Sequence, residues 1–450
     1  MPKTVDDLPV LQITDDDFWT GRLPHKIADF ALENGPIFRR TADEGLVPGG
    51  NLVFMVGPEA NRFVFHTGRE HFSHAQGWNP LLGDVLGKGL LNMDPPEHTH
   101  HRRVWSPAFT NTVMEVYIPV LHQVIQNRSR SWPQREQVDV YDEARDITFD
   151  AAAVALAGME PGETVDEMRD LFYMLLHSGQ EIATEEEWMA LMTRVQGRLL
   201  PMLLQLIAEK RAQPAAAIEN DVLGRLGHAR DENGQPLTDL QILGHLNILL
   251  VAGHETTTTL GGWTLFQLAQ RPEWVARLRT EVDEALEGYA AIGETEAVFP
   301  KNALSKMPTL DNFIKETGRL YPPVFTVPRG TVTDFEFGGY RIPAGTWIRL
   351  SLAAGHLLPE AFTDPERFDP DRFGPKRRED RATPYSLVTF GGGPRICIGI
   401  NFANIEVRIL AAHVLRHYDL VVVPDQPARH VGYFTSMAPD GLHLTFQPRQ

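Results

Sequence analysis

"FGGGPRICIG", Phe390 to Gly399, holds the only cysteine of a 450-residue chain, Cys397. A single thiol excludes an internal disulfide and the zinc sites that need paired cysteines. Three readings stay open from the residues themselves: an inert packed thiol, a nucleophile, or one thiolate ligand to a metal. The glycines permit a tight turn whose amides can point at the sulfur. After it, "GINFANIEVRILAAHVLRHY" reads as a helix beginning near Cys397. A thiol at a helix N-terminus feels the positive end of the dipole, so this one is expected to lean toward thiolate.

Working outward, apolar residues recur at three- and four-residue spacing over 114–132, 168–182 and 192–212, predicting helices. Pro201 inside the last predicts a break or kink. "NLVFMV" (51–56) and "DFEFGGYRIPAGTWIRLSL" (334–352) alternate like strands, the second turning at Gly338 and Gly339. The stretch 209–221 reads as a surface connection. The fold class is therefore mainly α with a smaller β region. With 42% apolar residues and no long polar linker, residues 1–450 are expected to form one unit.

The longest helical pattern is "TDLQILGHLNILLVAGHETTTTLGGWTLFQLAQRP", Thr238 to Pro272, opened by a Thr-Asp cap and closed by Arg-Pro. It is apolar on most faces and should run through the core. Yet Gly253, His254, Glu255 and four threonines stand in its middle, where glycine and β-branched residues weaken a helix. A local widening that faces a cavity is expected there.

Charge and termini exclude several classes. Against 42 basic residues stand 59 acidic ones, a net charge of −17, which argues against nucleic-acid binding. "MPKTVDDLPVLQITDDDFW" has neither the basic start nor the apolar core of a secretory signal, and "LNILLVAG" is far shorter than the ~20 residues that span a bilayer. A cytoplasmic protein without a membrane anchor is expected.

Phe390, Gly393, Arg395, Cys397 and Gly399 fill every position of F-x-x-G-x-R-x-C-x-G, and here the chain resembles the cytochrome P450 haem-thiolate enzymes of soluble bacterial type. Three weaker stretches follow in that family's order. "AGHETT" (252–257) resembles its oxygen-activating stretch, with Glu255 and Thr256 in the acid and alcohol positions. "ETGR" (316–319) resembles E-x-x-R, which the resemblance joins to Arg372 of "FDPDRF"; glycine at 318 departs from the usual bulky residue. "HTHHR" (98–102) resembles H-x-x-x-R. Taken without the family, Glu316 and Arg319 would be a solvated surface pair, and His98 with His101 a metal site on one helical face.

The resemblance implies haem b buried between the long central helix and the cysteine loop, with Cys397 as axial iron ligand. Such ligation favours cleavage of the O–O bond of bound oxygen. Glu255 and Thr256 would deliver protons; their plain reading is a pair that bonds back to the preceding turn. His98, Arg102, Arg329 and Arg395 would meet the two propionates, with Phe390, Gly393 and Gly399 shaping the loop around the sulfur. Trp78, Leu82, Ala252, Val324, Phe325 and Phe434 are candidate pocket walls, which suits a lipophilic substrate: a fatty acid, terpenoid, steroid or retinoid-like molecule. No nucleotide fingerprint and no cysteine cluster is present, so a separate ferredoxin or flavodoxin with its reductase is expected to bring electrons. Arg102, Arg103 and 375–378 offer it basic residues. Insertion of one oxygen atom from O2 is the expected reaction. A peroxide-driven enzyme and a non-catalytic haem sensor are the rivals.

Overall fold

The computed structural model describes residues 3–41, 51–83, 86–177, 184–215, 221–231, 233–288, 299–432 and 436–449. Helices of eight residues or more are α1 (Leu23–Asn34), α2 (Glu97–Trp105), α3 (Asn111–Ser129), α4 (Val140–Ala151), α5 (Glu163–His177), α6 (Glu185–Ala212), α7 (Asp239–Ala269), α8 (Pro272–Ala285), α9 (Pro308–Leu320) and α10 (Ile400–His417). The main sheet comprises β1 (Ile37–Thr41), β2 (Asn51–Val56), β3 (Phe72–Ser73), β4 (Thr326–Thr331) and β5 (Trp347–Ser351), in the order β1-β2-β5-β4-β3. Only the β2–β5 pair is parallel, with Phe54 opposite Arg349.

Helix α7 is the axis of the helical core. Thr238 caps it, accepting from Gln241 N while Gln241 closes the capping box. Gly261 and Gly262 let α4 approach closely, since a Cβ on Gly262 would stand 3.2 Å from the Tyr141 Cα. Helix α10 packs against α3 and α7 and carries Val407, Ile409, Leu410 and Val414 into the same apolar cluster. Two smaller clusters cover the faces of the main sheet, one around Phe38, Phe54 and Trp347, the other around Val53, Met55 and Ile348. This is the period-two alternation of β2 expressed in packing.

Two expectations need correction. Helix α6 runs unbroken through Pro201. The proline and Gly197, four residues earlier, are both exposed, so water can take up the carbonyl left without its donor. Helix α7 is likewise continuous through 252–259 and does not widen. Its threonines supply the reason, because the hydroxyls of Thr256, Thr257 and Thr259 donate to the carbonyls of Ala252, Gly253 and Glu255 at 3.0, 3.3 and 3.3 Å.

Candidate functional site

The cysteine loop is built by backbone. The N–H of Gly391 donates to Val388 O at 2.7 Å and that of Cys397 to Phe390 O at 2.9 Å, closing the turn around the thiol. Gly393 has φ +62° and lies so close to residue 65 that a Cβ would meet Phe65 O at 2.0 Å. Only glycine fits there. The short 3-10 turn Gly393–Arg395 precedes the thiol, and α10 starts three residues after it, at Ile400.

Cys397 is open to a water-sized sphere, yet enough protein surrounds it to desolvate the thiol, so it faces an interior opening rather than the outer surface. Burial raises its pKa, against the Gly399 N–H and the Arg102 guanidinium, which lower it. In the protein alone desolvation outweighs these donors. On α7 a second opening appears: Ala252 is exposed and Thr256 half-exposed, one turn apart, while Leu249, Leu250, Thr257 and Thr258 are buried. An exposed alanine in the middle of a core helix marks an internal surface.

Beside the loop lies a group of cations. The Arg395 guanidinium donates to Met93 O at 2.8 Å and Leu91 O at 3.1 Å, and Arg102 donates to Ile396 O at 2.7 Å. Arg329, on β4, is buried and donates to Pro328 O at 2.7 Å. These side chains feel one another. Burial, then Arg395, push Arg329 down to about 9, against Asp94; burial, with Arg102, pushes Arg395 down to about 10. Burial, then Arg395 and Arg102, push His98 to about 3, and burial, then Arg329, Arg395 and His98, drive His74 well below its ordinary value. Asp94, which accepts from Ser73 Oγ at 2.5 Å and His74 N at 2.7 Å, is the carboxylate that acts on the arginines. One acid among three arginines and two histidines leaves a desolvated positive surplus, which a dicarboxylate such as a porphyrin would offset. The thiol, the apolar face of α7 and this surplus fit haem.

A third group is closed and neutralised. Glu316 receives both Arg319 Nε at 2.7 Å and Arg319 Nη2 at 2.8 Å, and Arg372 Nε at 2.9 Å. All three side chains are fully buried. Arg372 also reaches Glu379 at 2.8 Å, and the remaining guanidinium donors go to the carbonyls of His356, Thr363, Pro365 and Arg367. Gly318 suits its place, since a Cβ there would press on Thr389 and Leu260 at 3.2 and 3.3 Å.

Other candidates fall elsewhere. His101 does not join His98 at a metal: its Nδ1 lies 2.9 Å from His245 Nε2, and no group of three or more ligating residues occurs among the described residues. Phe325 is buried with its ring edge-on to His430, and Trp78 is buried as well; Leu82 and Val324 are half-buried. Phe434 lies outside the described residues. His74 and Asp94 belong to no motif and were missed; a histidine and an aspartate twenty residues apart carry no local signal.

The family model for cytochrome P450 matches residues 18–439. Cytochrome P450 120 of Synechocystis sp. is 31% identical, over 87% of this chain and 85% of the relative. A sterol 14alpha-demethylase of Mycolicibacterium vanbaalenii is 27% identical, over 82% and 81%. Among solved structures, retinoic acid bound cyanobacterial CYP120A1 superposes with a TM-score of 0.83 at 27% identity, covering 100% of both chains.

Proposed function

Because the chain belongs to the cytochrome P450 family and is a haem monooxygenase, we propose that it hydroxylates a lipophilic molecule, retinoid-like, fatty acid, terpenoid or steroid, using haem b held through Cys397. The observation that carries this reading is the pairing of two interior openings, at the Cys397 thiol and at the Ala252–Thr256 face of α7. The relatives support the substrate class: one solved neighbour is titled as bound to retinoic acid, and one relative is named as acting on a sterol.

Thiolate-ligated haem supplies oxygen activation. Around it the residues divide the remaining work. Arg329, Arg395, Arg102, His98 and His74 take the propionates and orient the ring. Thr256 spends its hydroxyl hydrogen on Ala252 O and keeps its lone pairs for a water or an oxygen substrate in the pocket. Glu255, the next residue, is the titrating group of the pair. Ala252, Leu82 and Val324 provide apolar wall that excludes water. Electrons come from a separate ferredoxin or flavodoxin that meets the exposed Arg103, Lys376 and Arg378, in the cytoplasm.

The test is a substrate titration of the ferric holoprotein with all-trans-retinoic acid, palmitic acid and a sterol, followed by the Soret band. Displacement of iron-bound water by a saturating ligand of one class, and its hydroxylation on addition of a reductase system, is expected. A shift with none of these, but with small polar molecules, contradicts the substrate class.

A further inference from the structure

His254 stands between Gly253 and Glu255 on α7, with its side chain buried against α4. Its ring lies edge-on to Phe149 at 5.1 Å, and its carbonyl accepts from Thr148 Oγ1 at 3.3 Å. The two ring nitrogens have partners of one kind. Nδ1 lies 2.6 Å from Leu250 O, and Nε2 lies 3.0 Å from Glu255 Oε1.

A carbonyl oxygen can only accept, so Nδ1 must carry a hydrogen. A neutral imidazole would then present a bare Nε2 to a carboxylate oxygen, lone pair against lone pair. The contact is satisfied only when one proton lies between the two atoms.

We propose that His254 and Glu255 hold one proton jointly between Nε2 and Oε1, and that His254 is a positioning residue that acts through Glu255 as the proton store of the oxygen pocket. The proposal rests on Glu255 being the acid of the stretch 252–257. When the pair delivers, its one proton passes to Glu255 Oε1 as the bond to Nε2 breaks, and then on toward Thr256, leaving Glu255 a carboxylate again. His254 is left neutral, and a solvent proton restores it. No electron moves in this step.

The surroundings supply an entrance. Arg145 and Tyr141 of α4 are within electrostatic reach of Glu255, and Arg145 is in turn reached by Asp142 and by Tyr173 of α5. Arg145 donates to Asp142 at 2.6 Å, and Asp142 is exposed. This side of α4 therefore joins solvent to the carboxylate. Of the groups on α4 and α5, Arg145 and Tyr141 act on Glu255, and Asp142 and Tyr173 act on Arg145.

Two readouts test the pair separately from the acid. The first needs no turnover: the holoprotein, labelled with 15N-histidine, is reduced with dithionite and saturated with carbon monoxide to make it diamagnetic. His254→Gln identifies the His254 signals. Nδ1 of His254 is expected to carry a hydrogen and Nε2 to carry or share the proton of the pair, and in Glu255→Gln the Nε2 signal is expected to become that of a bare nitrogen. A bare Nε2 in the unmodified protein overturns the proposal.

The second readout is the share of reducing equivalents released as hydrogen peroxide with a surrogate ferredoxin and its reductase. His254→Gln is expected to raise that share roughly 3- to 10-fold near neutral pH, in the direction of Thr256→Ala and Glu255→Gln. In the unmodified protein the leak is expected to grow only at alkaline pH, where the pair loses its proton; in His254→Gln it is high and flat. A leak raised by Thr256→Ala and Glu255→Gln but not by His254→Gln overturns the store and spares the acid. A leak raised by neither Glu255→Gln nor His254→Gln removes Glu255 from its role, and the store with it.

Discussion

Two groups of arginines face opposite fates in this molecule. Arg319 and Arg372 converge on Glu316 and Glu379, with backbone carbonyls taking the remaining donors, and nothing more is asked of that group. Arg329 and Arg395 share one acid, Asp94; Arg395 depresses Arg329, Arg102 depresses Arg395, and between them the three depress His98 and His74. A balanced buried network specifies a structure, whereas an unbalanced one specifies a ligand of opposite charge. The difference separates scaffold from site without reference to any motif.

The comparison is broken most forcefully in the closed group. Glu316→Gln leaves two buried guanidinium groups facing a neutral amide, and loss of about 3–5 kcal/mol in urea unfolding is expected, with or without haem. If the loss appears only in the haem-loaded protein, Glu316 belongs to the site instead.

Acid sharpens it next. Burial holds His356 of the closed group and His98 of the open group at about 3. Both are neutral in the folded chain and take a proton when unfolded, so the stability they contribute is full above about pH 6.5 and is lost as pH falls toward 3. His356→Gln is expected to flatten the decline of melting temperature between about pH 7 and 4 in both forms of the protein. His98→Gln is expected to flatten it only without haem, because propionates beside His98 would stabilise its charged form.

Arg329→Gln has the opposite sign in the two forms. Removing a desolvated like charge is expected to leave the haem-free chain as stable or more so, while haem transfer to apomyoglobin speeds up about 10-fold or more. Smallest in reach is Gly393→Ala, which forces a Cβ against Phe65 O. Roughly 1–3 kcal/mol of stability should be lost, with early conversion of the carbonyl spectrum to the inactive form as the diagnostic.

Much of this was legible in the sequence for physical reasons that can be named. Helix α7 announces itself by a capping box, continuous apolar content and a closing Arg-Pro, and β2 by a short apolar run, Leu52 to Val56. Strand β4 was not read, because Pro328, Arg329 and Gly330 deny the local pattern of a strand, although the whole segment is buried or nearly so beside β5. Strand β1, with Arg39 and Arg40 in its five residues, escaped for the same reason. Arg372 could be named from its motif, and its Nε lies 2.9 Å from Glu316. His74 could not, since what makes it matter is the convergence of β3, β4 and the cysteine loop.

The central claim is that Cys397, the one thiol, faces an interior built to hold haem iron. The most direct measurement is the carbon monoxide spectrum of the dithionite-reduced protein, unmodified and as Cys397→Ser. The account predicts a strongly red-shifted Soret band that disappears in the serine variant while the rest of the fold, followed by circular dichroism, is kept. An ordinary haem carbonyl band in the unmodified protein, or a red-shifted one that survives the substitution, would contradict it.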